Sequence, residues 1–165
     1  MPSRKDTILS SLAWVLFVLQ IIVCFFFYDS AGLDVILYIG WILLAVGILL
    51  SWRARAALER TGETPEGGRR RHSAVLVDSG VYGVVRHPQH LCFVLIILAL
   101  IFISQYWLSV VFGCSLIALH HYLVLEEEKS NVQKFGSEYK RYMQRVPRMN
   151  FLSGIVRMLK LRKRG

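Results

Sequence analysis

Residues 91–128 read LCFVLIILALIFISQYWLSVVFGCSLIALHHYLVLEEE, and this stretch decides the fold. Two apolar blocks, Leu91 to Ile103 and Tyr106 to Leu125, are parted only by Ser104-Gln105, and the second runs straight into Glu126-Glu127-Glu128. Neither block alternates polar with apolar residues, as a half-buried strand or a soluble amphipathic helix would. The second block holds 20 residues, about the number that crosses a hydrocarbon core of roughly 30 Å as a helix. The first is shorter. Counted from Pro88 it spans 16 residues, or about 24 Å at roughly 1.5 Å per residue, so its first turn is expected near the interface. The two dipeptide-linked blocks predict a helical hairpin over 88–125.

Working outward, two further apolar blocks precede the hairpin. Residues 8–28 carry Gln20 as the one strongly polar side chain beyond serine, and residues 33–52 carry Asp34 at their edge. Hydrophobic residues make up 55% of the chain and charged residues 19%, and the two classes hardly mix. The pattern predicts an all-α integral membrane bundle forming one domain over 1–165, with about four transmembrane helices near 8–28, 33–52, 88–103 and 106–125. The first block is long for a signal-peptide core, and no small-residue cleavage site follows Phe25-Phe26-Phe27-Tyr28, so it is read as a retained helix.

The cations orient this bundle. Of the 20 Lys and Arg residues, Arg4 and Lys5 precede the first block. Seven arginines (53, 55, 60, 69, 70, 71 and 86) lie between the second block and the hairpin, and the rest follow Leu125. The connections near Asp29-Ser30 and Ser104-Gln105 hold none. By the positive-inside rule both termini are expected in the cytoplasm, in a prokaryotic inner membrane or the endoplasmic reticulum. The net charge of +9 is thereby a topology signal, and nucleic acid is not expected as a partner. Cys24, Cys92 and Cys114 all lie in apolar blocks without C-x-x-C spacing, which indicates neither a disulfide framework nor a zinc site.

Polar chemistry gathers in two cytoplasmic segments, 72–90 and 126–148. In the first, Ala74 to Val77 is a short β-branched run expected to be extended, Asp78-Ser79-Gly80 is a turn signal, and Arg86-His87-Pro88 leads into the hairpin with proline suited to a first helical turn. Taken singly, such Arg and His residues can simply snorkel to headgroups; the cluster asks for more. In the second, three adjacent carboxylates close a transmembrane block, where the helix dipole and mutual repulsion both disfavour them. Arginines such as Arg86 and Arg148, or a cationic ligand, are the candidates to compensate; the plain alternative is solvation beyond the membrane. Val132, Phe135, Tyr139 and Tyr142 then form an apolar stripe, interrupted by Gly136 and expected against the membrane face or the hairpin. Residues 149–165 alternate apolar and basic residues as an interfacial helix does. His87-x-x-His90 and His120-His121 offer imidazoles, but adjacent histidines on a helix point about 100° apart, and no metal is expected.

The order Gly80-x-Tyr82-x-x-x-Arg86-His87-Pro88, apolar hairpin, Glu127-Glu128, Phe135-Gly136-x-x-Tyr139-x-x-Tyr142 and Val146-Pro147-Arg148 resembles the isoprenylcysteine carboxyl methyltransferases and their phospholipid N-methyltransferase relatives over roughly 74–148. The resemblance implies a membrane methyltransferase that uses S-adenosyl-L-methionine. It implies cofactor contacts from Ala74, Val75, Leu76 and Val77, from Tyr82, from His87, Pro88, Gln89 and His90, and from Glu127 and Glu128. His90 and Cys92 stand where the family usually has tyrosine and glycine, and Leu123 where members often carry a substrate arginine; His121 or His120 is the candidate replacement toward substrate. No residue is singled out as catalytic. The expected acceptor is a lipid or small lipophilic carboxylate, amine or thiol. A membrane reductase of related fold and a non-catalytic scaffold on a degenerate methyltransferase fold are the alternatives.

Overall fold

The computed structural model describes residues 4–60 and 76–162. Their elements are α1 (Arg4–Phe26), α2 (Asp34–Arg60), a 3-10 turn (Gly80–Gly83), α3 (Pro88–Ser104), α4 (Trp107–Arg145) and α5 (Phe151–Arg162), with no strand among the described residues. The chain is an all-α membrane bundle. Three helical stretches are long and apolar enough to cross a membrane, Thr7–Phe26, Asp34–Glu59 and Trp107–Arg145, and Pro88–Ser104 is a shorter apolar helix. Trp14, Phe25, Phe26, Val35, Tyr38 and Ile42 all point outward, Phe25 with 81% of its surface exposed. Apolar surface on that scale is a liability in water and the ordinary outer face of a protein in lipid.

The helices outrun the apolar blocks that announce them. α2 continues through Arg-Ala-Arg-Ala-Ala-Leu-Glu-Arg to Arg60, all good helix formers. α4 continues past the glutamates to Arg145, interrupted at Gly136 (φ 56°, ψ −126°), a conformation that side chains with a Cβ seldom adopt. A backbone hydrogen-bond ladder does not end where polarity changes. Glu126 to Glu128 therefore sit inside a helix rather than at its C-terminus, and the dipole penalty expected of them does not arise. Of the run expected to be extended, Leu76 and Val77 have no regular secondary structure, while Ala74 and Val75 lie outside the described residues.

The chain divides into two compact units, one of residues 1–48 and 92–127, the other of 49–91 and 128–165. The core of the first is Ala13, Ile97 and Leu116, with Leu16, Phe17, Ile101, Ile117 and Leu119 packed on it. Gln20, fully buried, donates Nε2 to the Ile97 carbonyl at 3.1 Å, while its Oε1 has no hydrogen-bond partner among the described residues. Gly40 and Gly47 let α2 lie close on α3: a Cβ at Gly40 would stand 2.9 Å from Ile103 Cγ1, and one at Gly47 2.9 Å from Ile96 Cγ1.

At the cation-free turns, one side chain closes the unit. The Gln105 amide mimics a peptide group. Its Nε2 donates to Leu33 O (3.0 Å) and Asp29 Oδ1 (2.9 Å), and its Oε1 accepts from Leu33 N (2.9 Å). Asp29 N and Ser30 N donate to the carbonyls of Ile103 and Ser104, capping the end of α3, whose last carbonyls have no helical partner. Asp29 and Gln105 both hold left-handed backbone (φ 49° and 50°), a cost of about 1 kcal/mol each that these bonds offset. Phe27 stacks flat on Tyr106 at 3.9 Å beside them. Gln105→Ala is expected to lower unfolding stability in detergent by about 1–2 kcal/mol. Gln105→Glu is expected to lower it further, because a carboxylate cannot donate and faces Asp29. Unchanged thermal midpoints for both variants would remove this role.

A buried ionic cluster as the candidate functional site

Within the second unit, the segment before α3 is built as a series of fixed turns. Gly80 takes φ 60°, and Tyr82 N and Val84 N bond back to Ser79 O and Val81 O at 3.1 Å. The chain then runs alongside the segment after α4: Arg86 N donates to Pro147 O (3.0 Å) and His87 N to Arg148 O (3.2 Å). Val146-Pro147 stops the helix, and the two motif strands of chain pair by backbone. Tyr142, whose hydroxyl donates to Tyr82 O at 2.6 Å, pins the turn from the other side. Burial, then the neighbouring Tyr139, raises the Tyr142 hydroxyl pKa well above the usual tyrosine value, so it remains a donor at any ordinary pH.

Tyr139, Tyr142 and Val146 form the local core, with Leu76, Val132, Phe135 and Met143 packed against it. The apolar stripe expected against the membrane face or the hairpin is thus partnered within this unit. The break at Gly136 redirects its second half.

The centre of the site is Glu128. Its side chain is 6% exposed, and two arginines and a histidine converge on it. Arg148 reaches Oε2 with Nη2 at 2.7 Å and straddles both oxygens with Nε at 3.1 Å. His87 Nε2 lies 3.2 Å from Oε1. Arg86 Nη1 lies 3.0 Å from Oε1 but outside hydrogen-bond alignment, so it contributes charge. Arg86 Nε has no hydrogen-bond partner among the described residues. Burial alone would raise the Glu128 carboxyl. The hydrogen bonds from His87 and Arg148, then the charge of Arg86, outweigh it and hold the group down at about 2. A desolvated carboxylate costs several kcal/mol unless it is paired and hydrogen-bonded, and here it is both.

The residues singled out by sequence fall as follows. Tyr82, His87 and Glu128 are brought together through the contacts above, and Leu76 joins the tyrosine core. Val77 and Pro88 are buried, and Gln89 and His90 are half-buried in the first turn of α3. The rings of His87 and His90 meet edge to face at 6.0 Å. Glu127 belongs to the first unit and is half-buried. In that unit His120 stacks on Phe93 at 5.1 Å, His121 is exposed, and Leu123 and Cys92 are buried. Among the described residues no three His, Cys, Asp or Glu side chains gather as metal ligands.

Two contributors escaped the sequence reading. Arg157 Nη2 donates to Gly83 O, and Gly154 rests against the Val84 carbonyl. Two signals were present: Asn150, whose Oδ1 caps Ser153 N at 3.0 Å, and a mid-helix glycine, which costs about 1 kcal/mol against alanine unless backbone must approach closely.

Because the folded pKa of Glu128 lies below its ordinary value of 4.5, its stabilisation is fully present above pH 4.5 and is lost as pH falls toward 2. Glu128→Gln is expected to lower stability at pH 7 by about 3 kcal/mol, since it strands the buried Arg86, and to abolish that part of the acid dependence. Thermal unfolding of both proteins across this pH window measures it. Parallel acid profiles would contradict the assignment.

Comparison with known proteins gives one match. The family model described as phospholipid methyltransferase matches residues 35–138, from the start of α2 past both the Arg86-His87-Pro88 motif and the glutamate pair. No curated protein and no solved structure matches the chain. The matched region covers more than half of the sequence and contains α3 together with Arg86, His87 and Glu128, so the chain belongs to the phospholipid methyltransferase family.

Proposed function

We propose that this membrane methyltransferase takes its methyl group from S-adenosylmethionine and delivers it to a lipophilic acceptor at the cytoplasmic face of the bilayer. The observation that carries the reading is the Glu128 cluster, in which Arg86 and His87 of one family motif are held by a glutamate of the other. Two segments distant in sequence become one support for the start of α3.

The donor set suits the cofactor. Glu128 is held by Arg86, His87 and Arg148 and acts as a positioning residue; by family resemblance Glu127 is assigned to the positive charge of the cofactor. Leu76 and Val77, outside any helix, offer backbone groups, as Ala74 and Val75 do by family resemblance. Tyr82, His87, Pro88, Gln89 and His90 line the remainder. The first turn of α3 suits a carboxylate, because helix N-termini present N–H groups and positive potential. The cofactor, when bound, supplies a methyl group activated on a sulfonium. Transfer from it is an in-line displacement, for which positioning and electrostatic complementarity matter more than an acid. The fixed His87 and the pinned Tyr82 turn supply rigidity. The cation distribution supports a cytoplasmic site.

Leu123, uncharged and buried, stands where relatives of the isoprenylcysteine type often carry an arginine. An anionic acceptor therefore finds weak complementarity, and family membership supports an amine-bearing lipid.

Calorimetric titration of the detergent-solubilised protein with S-adenosylmethionine tests the reading. Binding is expected, weakened by roughly 1.5–3 kcal/mol in Glu127→Gln and little changed in Glu126→Gln. Given labelled cofactor, the protein is expected to methylate phosphatidylethanolamine faster than a farnesylcysteine analogue, and Leu123→Arg to favour the latter. No cofactor binding, or equal binding by both glutamate variants, would overturn the assignment.

A further inference from the structure

α5 has two opposed faces, and the unit uses only one. At about 100° per residue, Gly154 and Arg157 lie on the side opposite Leu152, Val156 and Leu159. The first pair meets the turn before α3: Gly154 rests on the Val84 carbonyl, where a Cβ would also come within 2.8 Å of Val84 Cγ1, and Arg157 donates to Gly83 O. The other three side chains are 76%, 50% and 55% exposed. A helix end capped by Asn150 thus holds an apolar ridge outward.

The charge around that ridge identifies its partner. From Phe151 onward the sequence contains five Lys and Arg residues and no Asp or Glu. A basic helix with an apolar ridge matches an anionic lipid surface, where the ridge enters the acyl boundary and the cations meet phosphates. A nucleic acid would match the charge and leave the ridge in water.

We propose that α5 is seated on an anionic lipid surface through Leu152, Val156 and Leu159, and that this seating orders the Gly80–Arg86 segment through Gly154 and Arg157. Lipid composition thereby acts on the turn that carries Tyr82 and leads to Arg86 and His87. The inference stands on the packing of α5 and does not depend on the identity of the methyl donor or acceptor.

Hydrogen–deuterium exchange on the full chain tests it, in nanodiscs of phosphatidylcholine alone and of phosphatidylcholine with phosphatidylglycerol. Amides of α5 and of Gly80–Arg86 are expected to exchange about tenfold more slowly with the anionic lipid, a difference that high salt erases. Combined Leu152→Gln, Val156→Gln and Leu159→Gln is expected to remove protection from both segments while α3 exchanges as in the wild type. If the triple variant also loses α3 protection, Leu159→Gln alone carries the same expectation. Gly154→Ala is expected to keep α5 protected on lipid and to free Gly80–Arg86. Exchange in α5 that ignores lipid composition and these variants overturns the proposal. Protection that follows protein concentration, or that appears on adding an oligonucleotide to phosphatidylcholine discs, assigns the ridge to a second copy or to a polyanion and overturns it equally.

Discussion

One buried carboxylate organises the polar half of this chain. Glu128 stands directly after an apolar helical block, where an unpaired charge would cost several kcal/mol. Three side chains make it tenable: Arg86 and His87 from the segment before α3, and Arg148 from the segment after α4. The backbone pairing of 86–87 with 147–148 and the Tyr142 hydroxyl on Tyr82 O follow the same geometry. The arrangement therefore reads as a scaffold for the motif rather than as a reservoir of stability, because buried ion pairs fix geometry more dependably than they add free energy.

The apolar half obeys a different constraint. In hydrocarbon every backbone polar group must find a partner inside the protein, and the turns are where helices fail to supply one. Gln105 meets this need by presenting an amide to Leu33 and Asp29, while Asp29 and Ser30 cap α3. Glycine at positions 40 and 47 allows backbone to approach side chain, so packing proceeds without a hydrophobic driving force between helices.

Much of this was legible in the sequence because lipid imposes long, unmixed apolar blocks. The four helices, the tight turn at Ser104-Gln105 and the start of α3 at Pro88 all follow from composition and from proline and glycine placement. The cluster was legible in outline, since three adjacent glutamates beside a membrane demand cations and Arg86 and Arg148 were the candidates. Helix ends were not legible: α2 and α4 continue into polar sequence because propensity, not polarity, governs the ladder. Nor was the reach of the Gln105 side chain, the inward use of the Tyr139 and Tyr142 stripe, or the docking of Gly154 and Arg157 on Gly83 and Val84. Each depends on which segments meet in space, which local periodicity does not encode.

The central claim is that Glu128 and Arg86 act as a unit in holding the family motif. A double-mutant cycle with Arg86→Met and Glu128→Leu, read by unfolding free energy in detergent, tests it most directly. Glu128→Leu strands the buried Arg86 and is expected to cost about 3–5 kcal/mol, Arg86→Met leaves Glu128 on Arg148 and His87 and is expected to cost about 1–3 kcal/mol, and the double variant is expected to cost less than their sum, giving a coupling energy of about 1 kcal/mol or more. Losses that simply add would show that the two residues do not depend on one another and would contradict the account.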